Sequence, residues 1–260
     1  MRYKVLCGYI RQRWDCGDTV EIEEKHTGKY GARGQIREKK RKATPEEIKK
    51  HNQWKRERNV RRLIKWNFRE RDYWITLTYP KDYRPTWEEM KDHAGKLVRK
   101  MREKYKKQGW TLKYIYRLAI GSRGGRHIHI LINRESNEKT ATDLIITDLW
   151  EQQWGHGHVN FRTTYSEGGY KQLAEYLTKP LEEWEPDEVK RYHPSRNLIR
   201  KDPEVDEIKR RSLVDRDGKP RMPKAPKGYY VDPESIEVGI NPITHYAYRH
   251  YTLIKIKKRE

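Results

Sequence analysis

The chain has 260 residues, of which 59 are Lys or Arg and 38 are Asp or Glu, so its formal net charge is +21. Leu, Ile, Val and Phe make up about 18% of it, a fraction typical of disorder at such a charge, but 9 Trp and 18 Tyr argue against disorder. We expect neither a transmembrane helix nor a signal peptide, since no apolar run is long enough. Cys7 and Cys16 are too few for a disulfide framework or a four-ligand zinc site. The charge favours a polyanionic partner and leaves open whether it is DNA, RNA or an anionic membrane.

The N-terminal region is basic and sparsely apolar. Residues 1–43 predict an arm with one short strand near residues 3–9. The capping box Thr44-Pro45-Glu46-Glu47 then predicts the start of a long basic helix that ends near Phe68. We therefore assign residues 1–72 to a basic arm and helix.

Apolar alternation begins at Tyr73 and continues to residue 180. It predicts strands at residues 73–79, 112–120, 126–133 and 158–162, and helices at residues 87–105, 142–154 and 169–179. The order β-α-β-β-α-β, followed by a helix, is typical of the ferredoxin-like split β-α-β fold. The predicted class is α+β, an antiparallel sheet with helices on one face and the other face open to ligands.

The remaining residues, 181–260, form a third segment rich in proline and charge. Long irregular stretches are expected between residues 181 and 235, and a final strand at residues 251–256. The predicted organisation is thus three consecutive segments, with the residues of chemical interest in the middle one.

Two patterns in the middle segment could carry chemistry. His127-Ile128-His129 lies mid-strand, so both imidazoles share one face and could bind one divalent metal. The alternative is two polar residues on a solvated strand face. Tyr176 and Lys179 share one face of the last helix, where a tyrosine can attack phosphorus and a lysine can stabilise charge on the phosphate. The alternative is an ordinary amphipathic helix.

Three segments in register resemble the motifs of the HUH endonucleases, most closely the rolling-circle replication initiators of plasmids, phages and integrated mobile elements. They read WITLTY at residues 74–79, GGRHIHILIN at 124–133 and LAEYLTK at 173–179. The resemblance covers residues 44–260 and is most specific over 73–180.

The resemblance implies a single-strand DNA nickase in the cytoplasm of a bacterial host. A divalent ion, Mn²⁺ or Mg²⁺, on His127 and His129 would polarise the scissile phosphate. Tyr176 would attack it and leave a 5′-phosphotyrosine and a free 3′-hydroxyl, with Lys179 assisting. The implied partners are single-stranded DNA at a replication origin and the host helicase and polymerase, because the chain has no P-loop motif.

Two positions depart from the family pattern. Ala119 stands where the family usually has an acidic metal ligand. Gln172 or Glu175 could substitute for that ligand, or the site could bind metal weakly or be inactivated. Tyr170 and Tyr176 are six residues apart, so they do not share a helical face, and we expect a single catalytic tyrosine.

Several residues around the predicted site could contact DNA through stacking, hydroxyl groups or charge. They are Trp74, Thr76, Thr78, Arg123 and Arg126. We expect no metal at His156-Gly157-His158, which lies in a turn. Two other functions stay open. One is a non-catalytic nucleic-acid-binding module, since RNA-recognition domains share this element order. The other is an HUH transposase or relaxase.

Overall fold

A computed structural model describes residues 8–28, 42–165, 167–186 and 190–256. The contacts divide the chain into two units, one from Gln53–Ile199 and one that joins Met1–Asn52 to Arg200–Glu260. This grouping differs from three consecutive segments because strands from both ends of the chain pair with each other.

The strands and helices follow in chain order. The strands are β1 Tyr9–Asp15, β2 Thr19–His26, β3 Tyr73–Thr78, β4 Tyr114–Ile120, β5 Arg126–Ile132, β6 Val159–Thr163, β7 His193–Pro194, β8 Glu204–Ile208, β9 Tyr229–Val231, β10 Glu237–Ile240 and β11 Ala247–Lys255. The α-helices are α1 Pro45–Asn67, α2 Trp87–Lys107, α3 Thr142–Thr147 and α4 Lys171–Thr178. A π-helical turn at Asp148–Gln153 continues α3, and a 3₁₀ turn at Glu167–Tyr170 precedes α4.

The unit from Gln53–Ile199 contains a five-stranded antiparallel sheet in the order β6-β3-β5-β4-β7. Along the chain, β3, α2, β4, β5, α3 and β6 have the predicted β-α-β-β-α-β order, so the α+β class is confirmed. Helix α2 begins at a complete capping box of Thr86 and Glu89. Helices α2 and α3 bury the isoleucine face of β5, including Ile128 and Ile130, in the larger core.

The opposite sheet face is partly covered as well. Leu63 and Ile64 of α1 and Leu177 of α4 pack with Ile115 and Leu131 of the sheet in a second core. The sequence predicts an open face here, because the sparse apolar residues of α1 give no strong amphipathic signal. The cover lies over the Leu131 end of β5, whereas the two histidines lie nearer its start.

The other unit is an antiparallel sheet in the order β10-β11-β2-β1-β8, with β9 also paired to β11. The predicted arm is wrong for residues 8–28, which form two long paired strands, and most of the strand predicted near residues 3–9 lies outside the described residues. Glutamates conceal the strand pattern of β2. Glu24 is fully buried and accepts hydrogen bonds from Arg11 at 2.7 Å and Arg249 at 2.5 Å. No helix among the described residues is long and apolar enough to cross a membrane.

The turn into β6 approaches β3 closely. Gly157 has a φ of +134°, and a Cβ added there would lie 2.3 Å from the carbonyl oxygen of Thr78. The same carbonyl accepts a hydrogen bond from the Trp150 indole at 3.1 Å. Only glycine fits this position without moving the backbone.

Candidate active site

Strand register places both histidines of β5 on the face that α2 and α3 leave uncovered. His129 lies opposite Thr76 on β3 and Arg117 on β4. His127 lies opposite Thr78 and Ala119 on the same two strands. The face predicted from the His-x-His spacing is therefore the one observed, and Ala119 is the nearest β4 neighbour of His127.

Tyr176 of α4 meets this face at His129. Its hydroxyl lies 2.6 Å from Nε2 of His129, and Nδ1 of the same ring lies 3.1 Å from Oγ1 of Thr76. When Nδ1–H donates to Thr76, Nε2 accepts the proton of the tyrosine hydroxyl. Trp74 stacks on the imidazole with an interplanar angle of 7° and meets the Tyr176 ring edge-on. The tyrosine remains 39% exposed, so an external strand can reach it.

The local environment fixes the protonation states of these groups. Burial lowers the pKa of His129 to about 3, and the charges of His127 and Arg117 act in the same direction. Burial also lowers the pKa of His127. It raises the pKa of Tyr176, which Arg117 partly opposes. At neutral pH the site therefore contains two neutral imidazoles and a protonated phenol.

Arg117 fastens the end of the helix that carries the tyrosine. Its buried guanidinium donates hydrogen bonds to the backbone oxygens of Tyr176 at 3.3 Å and Lys179 at 2.6 Å. It also pairs with Glu185 at 3.4 Å, whose carboxylate accepts the backbone N–H of Ile120. Carbonyls at a helix C-terminus lack intrahelical partners, and a cation there satisfies them. Sequence analysis missed Arg117, although its place opposite the isoleucines in β4 was a signal.

Trp184 is a second residue that sequence analysis missed. Its indole Nε1 donates a hydrogen bond to the backbone oxygen of Ile120 at 2.7 Å, and its side chain is 48% exposed. This bond places an exposed aromatic ring at the end of β4, one residue beyond Ala119. Its sequence context, a run of glutamates and prolines, predicts an irregular extension.

The other predicted site residues lie as follows. The Lys179 amine forms an ion pair with Glu182. Arg123 is exposed at the turn before β5, while Arg126 donates to the backbone oxygens of Pro85 and Gly124.

The tyrosine helix carries three further residues named by the sequence analysis. Gln172 and Glu175 are exposed on α4. Tyr170 is buried in the core beside α1, which agrees with a structural role.

The histidines meet part of the requirement for a metal. Nδ1 of His127 is buried and has no hydrogen-bond partner in the described part of the chain. Nε2 of His129 is shared with Tyr176, so a metal would compete with the tyrosine for it. No three His, Cys, Asp or Glu side chains among the described residues are grouped to hold a metal. The donors fit a metal held by two imidazoles, with water or phosphate completing its coordination, and provide no carboxylate.

The second His-x-His lies apart from these residues. His156 packs against His93, with ring centroids 4.2 Å apart, and His93 hydrogen-bonds the Tyr79 hydroxyl. Burial, with the charges of His93 and Lys96, lowers the pKa of His156 to about 4. His158 points into solvent near Glu151. These contacts indicate a packed aromatic cluster.

The sheet and site thus define an α+β protein with a histidine pair facing a helix-borne tyrosine. The family model for the replication-associated protein ORF2 matches residues 72–181. This segment contains both histidines, Tyr176, Ala119 and Arg117, and the match supports a role as a replication initiator. Comparisons with curated proteins and with solved structures give no match.

Proposed function

We propose that this protein is a rolling-circle replication initiator that nicks and rejoins single-stranded DNA through Tyr176. The observation that carries the proposal is the 2.6 Å contact between the Tyr176 hydroxyl and His129, within the segment that matches the replication-associated family. A tyrosine that is both anchored by hydrogen bonding and 39% exposed suits attack on an external phosphate.

In the proposed step, the Tyr176 oxygen attacks the scissile phosphorus while the bond from phosphorus to the 3′-oxygen breaks. The phenol proton passes to water, and the departing 3′-oxygen takes up a proton from water. The product is a 5′-phosphotyrosine and a 3′-hydroxyl. The reverse attack by a 3′-hydroxyl rejoins the strand.

Several residues prepare this step. Thr76 and Trp74 fix the His129 ring, which holds Tyr176, and Arg117 fixes the backbone at the end of α4. This positioning supplies the proximity contribution to catalysis. A divalent metal held by His127 and His129, Mn²⁺ or Mg²⁺, would contribute Lewis-acid polarisation of the phosphate.

Residues around the tyrosine would hold the strand. Trp184 and Trp74 offer ring faces for base stacking, and Arg123 is an exposed cation before β5. Binding should weaken as salt rises, because phosphate contacts release counterions. Unwinding and synthesis would fall to a separate helicase and polymerase.

A second candidate is a non-catalytic single-stranded DNA-binding module. The specific observation in its favour is Ala119, which leaves the histidine pair without a neighbouring carboxylate on β4. The two candidates share the binding surface and differ in whether a covalent adduct forms.

The test uses the full chain, Mn²⁺ and a random-sequence pool of single-stranded oligonucleotides with fixed ends. Adducts that survive denaturing electrophoresis are amplified, which also reveals the preferred sequence. Tyr176→Phe should reduce adduct formation by about 1,000-fold or more, since the nucleophile is lost. Tyr165→Phe is the matched control, because Tyr165 is an exposed tyrosine of the same unit. Binding without any adduct would favour the second candidate, and an adduct lost only in Tyr170→Phe would refute our choice of nucleophile.

A further inference from the structure

A cavity of about 700 Å³ lies in the unit Gln53–Ile199, away from the tyrosine. It lies between the second half of α2, the segment that leads into β4 and the loop after β7. Its walls include Arg102, Lys106, Trp110, Tyr114 and Arg196. The volume falls within the range of about 300–1,000 Å³ that is usual for small-molecule sites.

The cavity concentrates unpaired positive charge. Arg102 and Lys106 are one turn apart on α2, and Arg196 comes from the loop after β7. Within the described part of the chain, no carboxylate lines the cavity and none pairs with these three cations. Lys100 and Lys104 of the same helix are instead paired, with Glu103 and Asp148 respectively. Three converging cations without acidic partners favour an anionic ligand.

The cavity also presents aromatic surface held in place by the fold. The Trp110 ring meets Tyr105 edge-on, with centroids 5.5 Å apart. Tyr105 is fully buried, and its hydroxyl donates to the backbone oxygen of Asn133 at 2.8 Å. Asn197 beside Arg196 donates its side-chain amide to the backbone oxygen of Leu112 at 2.9 Å. The indole is therefore preorganised, and a base that stacks on such a ring gains about 1–3 kcal/mol.

This cavity is distinct from the tyrosine site. Tyr114 lies at the start of β4 and belongs to the core under α2, whereas Ala119 faces the histidines. Five residues of strand separate the two positions, a distance of about 17 Å. The two sites therefore lie toward opposite ends of β4 and on opposite faces of the sheet.

We propose that the cavity binds a nucleoside phosphate. Arg102, Lys106 and Arg196 would contact the phosphate, and the base would stack on Trp110. The same chemistry is presented by a free nucleotide and by an unpaired nucleotide of a single strand. The inference does not depend on nicking, because no residue of the cavity belongs to the tyrosine site.

The test measures binding to the full chain by titration calorimetry, in the Tyr176→Phe background so that strand cleavage cannot contribute. The probes are deoxyadenosine monophosphate, pyrophosphate, deoxyadenosine and a four-residue deoxyadenosine oligonucleotide. Binding of the monophosphate identifies a free-nucleotide site, whereas binding of the oligonucleotide alone identifies a strand-binding site. Failure of both to bind at about 1 mM overturns the proposal.

Paired variants separate a specific site from general attraction to a basic surface. Arg102→Gln/Lys106→Gln should weaken nucleotide binding by at least about tenfold. Lys100→Gln/Lys104→Gln, with the same charge change on the same helix, should weaken it by less than about threefold. Equal losses in the two double variants would overturn the proposal.

Two single variants test the parts of the ligand. Arg196→Gln leaves α2 intact and should reproduce part of the loss, which guards against misfolding of the helix variant. Trp110→Leu should weaken monophosphate binding by about fivefold or more and leave pyrophosphate binding unchanged. If pyrophosphate binds as tightly as the monophosphate and Trp110→Leu changes neither, the nucleoside assignment is wrong.

Discussion

Arg117 and Glu185 form a buried ion pair at the end of the helix that carries Tyr176, and their side chains are 3% and 1% exposed. Arg117→Met would leave the carboxylate buried without its cation, which costs about 3–5 kcal/mol in comparable cases. Glu185 would still accept the backbone N–H groups of Ile120 and Glu182. We therefore expect a loss near the lower end, about 3 kcal/mol. The double variant Arg117→Met/Glu185→Leu should recover most of this stability, because no uncompensated charge remains.

Two assays on the full chain separate stability from positioning. Urea unfolding gives the free energy of unfolding of each variant. Covalent adduct formation with single-stranded DNA reports whether Tyr176 is in place. The double variant should remain at least about tenfold slower than the original chain in adduct formation, because the α4 carbonyls have lost their donor. A double variant as unstable as Arg117→Met, or one with full adduct formation, would refute this reasoning.

Three further predictions concern other parts of the same unit. Gly157→Ala should cost about 2–4 kcal/mol in urea unfolding, since its Cβ would lie 2.3 Å from a β3 oxygen, whereas Gly155→Ala, with nothing within 4 Å, should cost about 1 kcal/mol; equal costs would contradict the close approach. Ala119→Glu should raise Mn²⁺ affinity by about tenfold in calorimetry, because it adds a carboxylate beside the histidine pair, and no change would place any third ligand elsewhere. The pKa of His156, lowered to about 4, means that the unfolded chain binds a proton below pH 6.5 before the native state does. Stability should therefore fall by about 1–2 kcal/mol from pH 6.5 to pH 4, allowing for partial exposure, and His156→Gln should flatten this fall; an unchanged slope would contradict it.

The sheet of the unit Gln53–Ile199 could be predicted because each strand buries alternate residues. In β5, Ile128, Ile130 and Ile132 contact one core, and this period also placed His127 and His129 together. Such local alternation is visible in a single sequence.

Strand β2 could not be predicted in the same way. Its glutamates read as a solvated arm, and the partner that neutralises Glu24 includes Arg249, 225 residues further along the chain. Burial of a charge depends on a distant partner that local sequence does not reveal.

The candidate site was predicted in part for the same reason. The histidines and Tyr176 follow from local periodicity and the resemblance, and the structure brings His129 and Tyr176 into contact. The partners of Arg117 and the bond that places Trp184 at the end of β4 depend on how the chain returns to the sheet after α4. Such returns are set by tertiary packing and leave no periodic signal.

The central claim, that Tyr176 forms a covalent bond with DNA, is tested most directly by mapping the nucleotide-bearing residue. The full chain is incubated with Mn²⁺ and the single strand selected from the random pool, the DNA is digested, and the peptides are analysed by tandem mass spectrometry. The account predicts a nucleotide phosphate on Tyr176. A phosphate on Tyr170 or any other residue, or the absence of any modified peptide, would contradict it.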